Sequence, residues 1–131
     1  MDYLFLLGRV LYGGFFINAG INHFRHLSMM SSFVGMKGVP APKLGVIVSG
    51  LLILAGGLCV VLGCAPEWVG VVCIELFLVP VTFLMHNFWV ETDAMGRINQ
   101  RVNFEKNVAL AGAALMLLAI PEPWHLSLQV W

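Results

Sequence analysis

Apolar runs occupy roughly residues 4–24, 44–64, 67–88 and 104–121, separated by two polar linkers and one tight turn. The first three reach the length of about 20 residues that a helix needs to cross hydrocarbon at about 1.5 Å per residue. The fourth is shorter, about 18 residues or about 27 Å. Lys106 near its start can snorkel to the interface, while tilt or local thinning of the bilayer takes up the rest. Open strand edges are not tolerated in lipid, so the runs predict helices despite their many valines. Between the first two runs, FRHLSMMSSFVGMKGVPAPK places Leu27, Met30, Phe33 and Val34 at helical spacing. This predicts a short interfacial helix, stopped by Gly35, Gly38, Pro40 and Pro42. Cys64, Ala65, Pro66 and Glu67 form the tight turn, with Pro66 suited to a helix start. VETDAMGRINQRVN reads as a polar linker. The expected architecture is all-α: one domain over 1–131, an integral membrane four-helix bundle with a short interfacial helix after the first span.

Composition supports the bilayer as solvent. Of 131 residues, 60% are hydrophobic and 11% charged, and the mean hydropathy is +0.89. A soluble domain carries about 25% charged residues. Net charge is zero and no basic tract is present, which gives no support to nucleic-acid binding. The N-terminal MDYLFLLGRVLYGGFF opens with an acidic residue, carries Arg9 inside the apolar stretch and ends in no small-x-small cleavage pattern. It reads as an uncleaved membrane helix rather than a signal peptide.

Lysine and arginine set the expected topology. Arg25, Lys37, Lys43, Arg97, Arg101 and Lys106 fall in or beside the first and third linkers, and Arg9 is the remaining one of seven basic residues. Those linkers are expected in the cytoplasm, with both termini and the short turn outside. The C-terminal IPEPWHLSLQVW is expected along the outer interface, with Trp124 and Trp131 at headgroup level.

Polar residues inside the spans fall at two depths. Arg9 and Glu75 lie near the outer level, where an unpaired charge is costly, so they are candidates for an intramembrane ion pair. The inner level lies about 21 Å beyond Arg9 at His23 and about 16 Å beyond Glu75 at His86. Arg9, Gly13, Phe16, Gly20 and His23 share one face of the first helix, and Glu75, Val79, Thr82 and His86 share one face of the third. Gly13 and Gly20 allow close helix approach or leave space for a guest, and Gly45, Ser49, Gly56 and Gly63 are small contact points on the second. Asn22, His26, Asn87 and Asn107 surround the inner level. Histidine and asparagine supply donors and acceptors that can satisfy one another, relay protons or hold a ligand.

Other chemistry has little support. No HxxxH or ExxH pattern completes a metal site, and there is no phosphate-binding glycine loop or catalytic triad. Cys59, Cys64 and Cys73 form no CxxC pair and read as small buried hydrophobes. Cys59 and Cys73 share a depth on consecutive helices, which leaves a disulfide or redox pair open.

The segments GRVLYGGFFINAGINHF (8–24), GVPAP (38–42), MHNFW (85–89) and FEKNVALAGAALML (104–117) together resemble the DoxX family of small four-helix membrane proteins. The family-like positions are Arg9, Gly20, His23, Phe24, Gly38, Pro40, Pro42, His86, Phe88, Trp89, Phe104, Lys106 and Asn107. The resemblance implies a bacterial or archaeal plasma membrane protein. Its family name comes from a subunit of a thiosulfate:quinone oxidoreductase, and relatives are linked with membrane redox complexes and oxidative-stress defence. It transfers no catalytic residues. No segment here suits a flavin or a soluble sulfur substrate, so a complete oxidoreductase activity would need a partner. Three functions stay open: a quinone- or lipophile-binding subunit of a membrane redox complex, a non-catalytic assembly or stabilising factor, and a small transporter. For the first, His23, His86, Asn22, Asn87 and Asn107 would bind the ligand or relay protons, and Phe24, Phe88 and Trp89 would flank the ring. No intrinsic cofactor is expected beyond such a quinone. The expected partners are the lipid bilayer, a redox-complex protein or further copies of the chain.

Overall fold

The structure is a computed structural model that describes residues 1–64 and 66–128. Among the described residues five α-helices follow one another: α1 (Asp2–Arg25), α2 (Leu27–Met36), α3 (Pro42–Leu62), α4 (Trp68–Met85) and α5 (Ala94–Leu117), with a 3-10 turn at Phe88–Val90 before α5. Among the described residues no strand is present. Three stretches, α1, α3 and Trp68–Val90, are long and apolar enough to cross a membrane.

Local chemistry sets the helix ends. Pro42 opens α3, where its missing N–H is one that no helix would use. Gly63 closes α3 in the left-handed region, with φ 65° and ψ 53°. Asp93 caps α5, its carboxylate accepting the Gly96 N–H at 2.7 Å. That cap starts α5 at Ala94, so much of the stretch read as a polar linker is helix. Its polar residues have no apolar period to signal them.

α1 packs mainly on α3, α3 on α4, and α4 on α5, while α2 folds back against α3. The Tyr12 hydroxyl donates to the Leu110 carbonyl at 2.6 Å and ties α1 to α5. Phe16, Ile53, Val60, Val71, Ile74, Leu78 and Ala114 form the core. α1 buries Arg9, Gly13, Phe16, Gly20 and His23, the face its spacing predicts. On α4 the buried face is Val71, Ile74, Leu78, Thr82 and Met85, beginning at Gly70. The expected column of Glu75, Val79, Thr82 and His86 is therefore not the bundle face: Val79 is 52% exposed and His86 lies beyond the helix end.

The α1–α3 contact is close because both helices present glycine. A Cβ on Gly13 would lie 2.6 Å from the Gly57 carbonyl oxygen, and one on Gly57 would lie 2.7 Å from that of Gly13. Gly56 and Gly70 play the same part between α3 and α4, at 3.0 and 3.3 Å from each other's carbonyl. Gly8, Gly14 and Gly45 have open space at that position and are not contact points.

Arg9 fastens the end of the bundle near the start of α1. It is 1% exposed and donates from Nε to Val60 O at 3.0 Å, from Nη2 to Val61 O at 2.8 Å, and from Nη1 to His125 O at 2.8 Å. Nη2 also reaches Leu126 O at 3.5 Å. The rings of Phe5 and Trp124 lie 5.7 and 5.4 Å from the guanidinium carbon. The carbonyls at the end of α3 have no helical donors and carry the negative end of its dipole, so they suit a buried cation. The expected Arg9–Glu75 pair is accordingly not formed. Glu75 sits on α4 with one carboxylate oxygen buried and without a hydrogen-bond partner among the described residues, and the acid whose charge Arg9 feels is Glu67.

This clamp draws the segment after α5 inward. Trp124 is 3% exposed, with its ring edge-on to Phe5 at 5.4 Å, so it is a core residue here rather than an interface anchor. Trp131 lies outside the described residues. The Leu128 N–H donates to Leu62 O at 2.8 Å, and Glu67 accepts the Trp124 N–H at 3.4 Å. The neighbouring Glu67 holds the Glu122 carboxyl above the usual range, because a protonated Glu122 could donate to it and a second negative charge beside it is unfavourable.

Three outcomes follow from this packing. In detergent, Gly13→Ala should lower stability by about 1–3 kcal/mol, because a backbone carbonyl blocks the new methyl. Gly14→Ala, facing open space, should be neutral or slightly stabilising; thermal unfolding of the two variants checks both. Arg9→Met should cost about 3 kcal/mol and expose residues 121–128 to chymotrypsin, with Arg9→Lys intermediate. Because folding favours protonated Glu122, its contribution is complete below the ordinary carboxylate range and is lost as pH rises through the raised value. The melting temperature should fall over that rise in the wild type and stay flat in Glu122→Gln.

Candidate functional site: a cavity at the inner level

A cavity of about 450 Å³ opens at the end of the bundle opposite Arg9. Its walls come from all five helices and from Val39 in the connection before α3. Three of the candidate residues line it: His23 from α1, His86 just after α4, and Asn107 from α5. The remaining surface is largely apolar, and no aspartate or glutamate lines it.

His23 is 8% exposed, and its Nδ1 lies 2.8 Å from the Ala19 carbonyl one turn back. A carbonyl can only accept, so Nδ1 carries the hydrogen and the neutral ring keeps Nε2 as an acceptor. The ring meets Phe77 edge-on at 5.7 Å. His86 places Nδ1 2.8 Å from Gln100 Oε1, which fixes its ring against α5. Asn107 is 6% exposed and brings both donor and acceptor groups to the wall. Among the described residues no hydrogen bond joins His23 to His86, so the two share a cavity without touching through a polar contact.

The other candidates lie elsewhere. Asn22 sits at the end of α1, its carbonyl accepting the His26 N–H at 2.9 Å. Asn87 accepts from Lys37 Nζ at 2.7 Å, and Lys37 also bridges to Glu91 at 3.3 Å, so Asn87 belongs to a tie between the segment before α3 and the segment before α5. Phe24 packs against Gly50 of α3. Trp89 stacks edge-on with Phe88 and Phe104 at 5.3 and 5.9 Å and is 51% exposed. The aromatic walls of the cavity are instead Phe15, Phe33 and Phe77. Asn87 and Trp89 turn away because α4 stops at Met85 and the chain then makes its 3-10 turn.

Several lining residues carry no distinctive motif. Met30, Phe33 and Val34 place α2 under the bundle as a floor, beyond its expected interfacial role. Lys106 reaches the cavity edge, with its ammonium 5.9 Å from the Phe15 ring centroid and 3.1 Å from Asn103 Oδ1. Pro80 lies inside α4 and lines the cavity together with Leu76. A proline has no N–H to give, so the Leu76 carbonyl four residues back loses its helical donor. That proline within LFLVPVTF was the readable signal. Among the described residues no group of three or more histidine, cysteine or acidic side chains is arranged to hold a metal ion.

Comparison with known proteins places this fold in a family. The DoxX family model matches residues 4–87, which takes in the α1 face, the first linker, α3 and α4, ending at Asn87. The chain is 30% identical over 127 residues to the inner membrane protein YphA of Escherichia coli strain K12, covering 96% of this chain and 88% of the relative. No solved structure matches. The chain is an integral membrane protein and belongs to the DoxX family.

Proposed function

We propose that this protein holds a quinone, or a lipophile of like head group, in the inner cavity and serves as a membrane subunit of a redox complex whose electron transfer is completed by a partner. The observation that carries the reading is the convergence of His23, His86 and Asn107, from three separate parts of the bundle, on one otherwise apolar cavity of about 450 Å³. That volume falls within the range of about 300–1,000 Å³ usual for small-molecule pockets. A quinone carbonyl needs donors, which the Asn107 amide and the Lys106 ammonium supply. The hydroxyls of the reduced form need acceptors, which Nε2 of His23, Nε2 of His86 and the Asn107 amide oxygen supply. Phe33 and Phe77 are placed to flank a ring. No catalytic activity of the chain alone is part of the reading.

In this reading the apolar part of α5 makes the fourth crossing, within a single domain over 1–131. The lysine and arginine distribution puts the cavity at the cytoplasmic side and both termini outside, in the bacterial or archaeal plasma membrane. The competing reading, a non-catalytic assembly factor, draws on the Arg9 clamp and the glycine contacts, which serve the fold without any ligand.

Titration with a short-chain quinone, followed by thermal shift and calorimetry in detergent, separates the two. His23→Ala and Asn107→Leu should each weaken quinone binding at least about ten-fold, the equivalent of about 1.4 kcal/mol, while Asn22→Ala and Trp89→Ala leave it unchanged. Absence of binding to the wild type, or equal binding in all four variants, would remove the quinone from this cavity.

A further inference from the structure

The end of α3 assembles two thiols that the spacing of the sequence does not pair. Gly63 takes the left-handed conformation, and the N–H groups of both Gly63 and Cys64 turn back onto the Cys59 carbonyl, the latter at 3.0 Å. This six-to-one closure is the helix-ending motif that brings the side chains at its two ends, here Cys59 and Cys64, into contact. That closure holds Cys64 beside Cys59 at one helix end, whereas Cys73 belongs to α4. All three cysteines are free thiols, each partly exposed.

Packing holds this arrangement in place. Cys59 rests on Gly70 of α4, where an added Cβ would come within 3.0 Å of the Cys59 Cβ, and Cys73 rests on Gly56 of α3 at 3.2 Å. The two helices therefore seat Cys59 and Cys73 on opposite sides of one glycine contact. Cys64 lies past the last helical residue, Leu62, at the turn leading to α4, so it is the thiol that a reagent from water meets first.

We propose that Cys59 and Cys64 form a reversible dithiol–disulfide centre at the end of α3, oxidised by exchange with a soluble disulfide. The Cys64 thiolate attacks one sulfur of the incoming disulfide, and the first thiol leaves with the electron pair of the broken bond. The Cys59 thiolate then attacks Cys64 Sγ in the mixed disulfide, and the second thiol leaves. In balance, two cysteine thiols and one disulfide give the Cys59–Cys64 bond and two free thiols. The proteinaceous pair is oxidised and the soluble disulfide reduced. The proposal stands apart from the inner cavity and survives or fails independently of quinone binding.

The test treats the purified, fully reduced chain in detergent with oxidised glutathione, then alkylates the remaining thiols and maps them by peptide mass spectrometry. The wild type and Cys73→Ser should lose two alkylation sites at Cys59 and Cys64, gain a bond between them and recover both thiols on adding dithiothreitol. A glutathione redox titration should give one reversible two-electron midpoint in those two proteins and none in Cys59→Ser or Cys64→Ser. Equal melting temperatures of reduced wild type and Cys64→Ser show that the variant is folded. Should Cys64→Ser prove misfolded, iodoacetamide capping of Cys64 on the folded wild type takes its place. Full alkylation of all three cysteines after oxidation, or a bond from Cys59 to Cys73, would overturn the proposal.

Discussion

A guanidinium buried beside hydrocarbon cannot shed its proton and has five N–H groups to satisfy, and the half of this bundle around Arg9 is arranged to meet that demand. Arg9 meets it with backbone rather than with an acid. Its donors take the terminal carbonyls of α3 and those of His125 and Leu126. One side chain thereby joins the first helix, the end of the second long helix and the segment after the last. The carbonyls gain as much as the arginine does, because a helix end in lipid otherwise leaves them without donors. With that end closed in this way, the glycine contacts between α1 and α3 and between α3 and α4 set how near the helices can come. The cavity lies at the other end, where α4 carries Pro80 and α2 comes in beneath the long helices.

The two ends differ in chemistry as well as in packing. Around Arg9, the guanidinium N–H groups meet backbone carbonyls and the aromatic rings of Phe5 and Trp124 close over them. Around the cavity, groups capable of bonding are spread across an apolar wall: the imidazoles of His23 and His86 and the Asn107 amide. Buried polar groups generally find partners. A wall that offers both donors and acceptors toward one space is the physical basis for expecting an occupant with a polar head and an apolar body.

Much of this could be read from the residues, and the exceptions have physical causes. The α1 face was legible because Arg9, Gly13, Phe16, Gly20 and His23 recur at helical steps along an uninterrupted helix. The α4 face was misjudged by one position: Glu75 marked the polar column by charge, whereas burial follows Ile74, Leu78 and Thr82. The pairing of Arg9 with Glu75 assumed that a charge seeks a charge, and backbone carbonyls leave no pattern in a sequence. Of the candidate ligands, His23, His86 and Asn107 line the cavity, while Asn22 and Phe24 stand on other faces of α1 than His23, and Asn87 and Trp89 follow the chain into the 3-10 turn after α4. The start of α5 was hidden by its polarity and is betrayed only by the Asp93 cap.

The central claim is that the inner cavity has a lipophilic occupant, and native mass spectrometry of protein released from its own membranes tests it most directly. Ala19 lines the cavity on α1, so Ala19→Trp fills it from a position away from the Arg9 clamp. The account predicts one bound lipophile of quinone mass per wild-type chain, absent from Ala19→Trp protein that keeps its helical content. A wild-type chain that flies bare, or an adduct retained unchanged in Ala19→Trp, would contradict it.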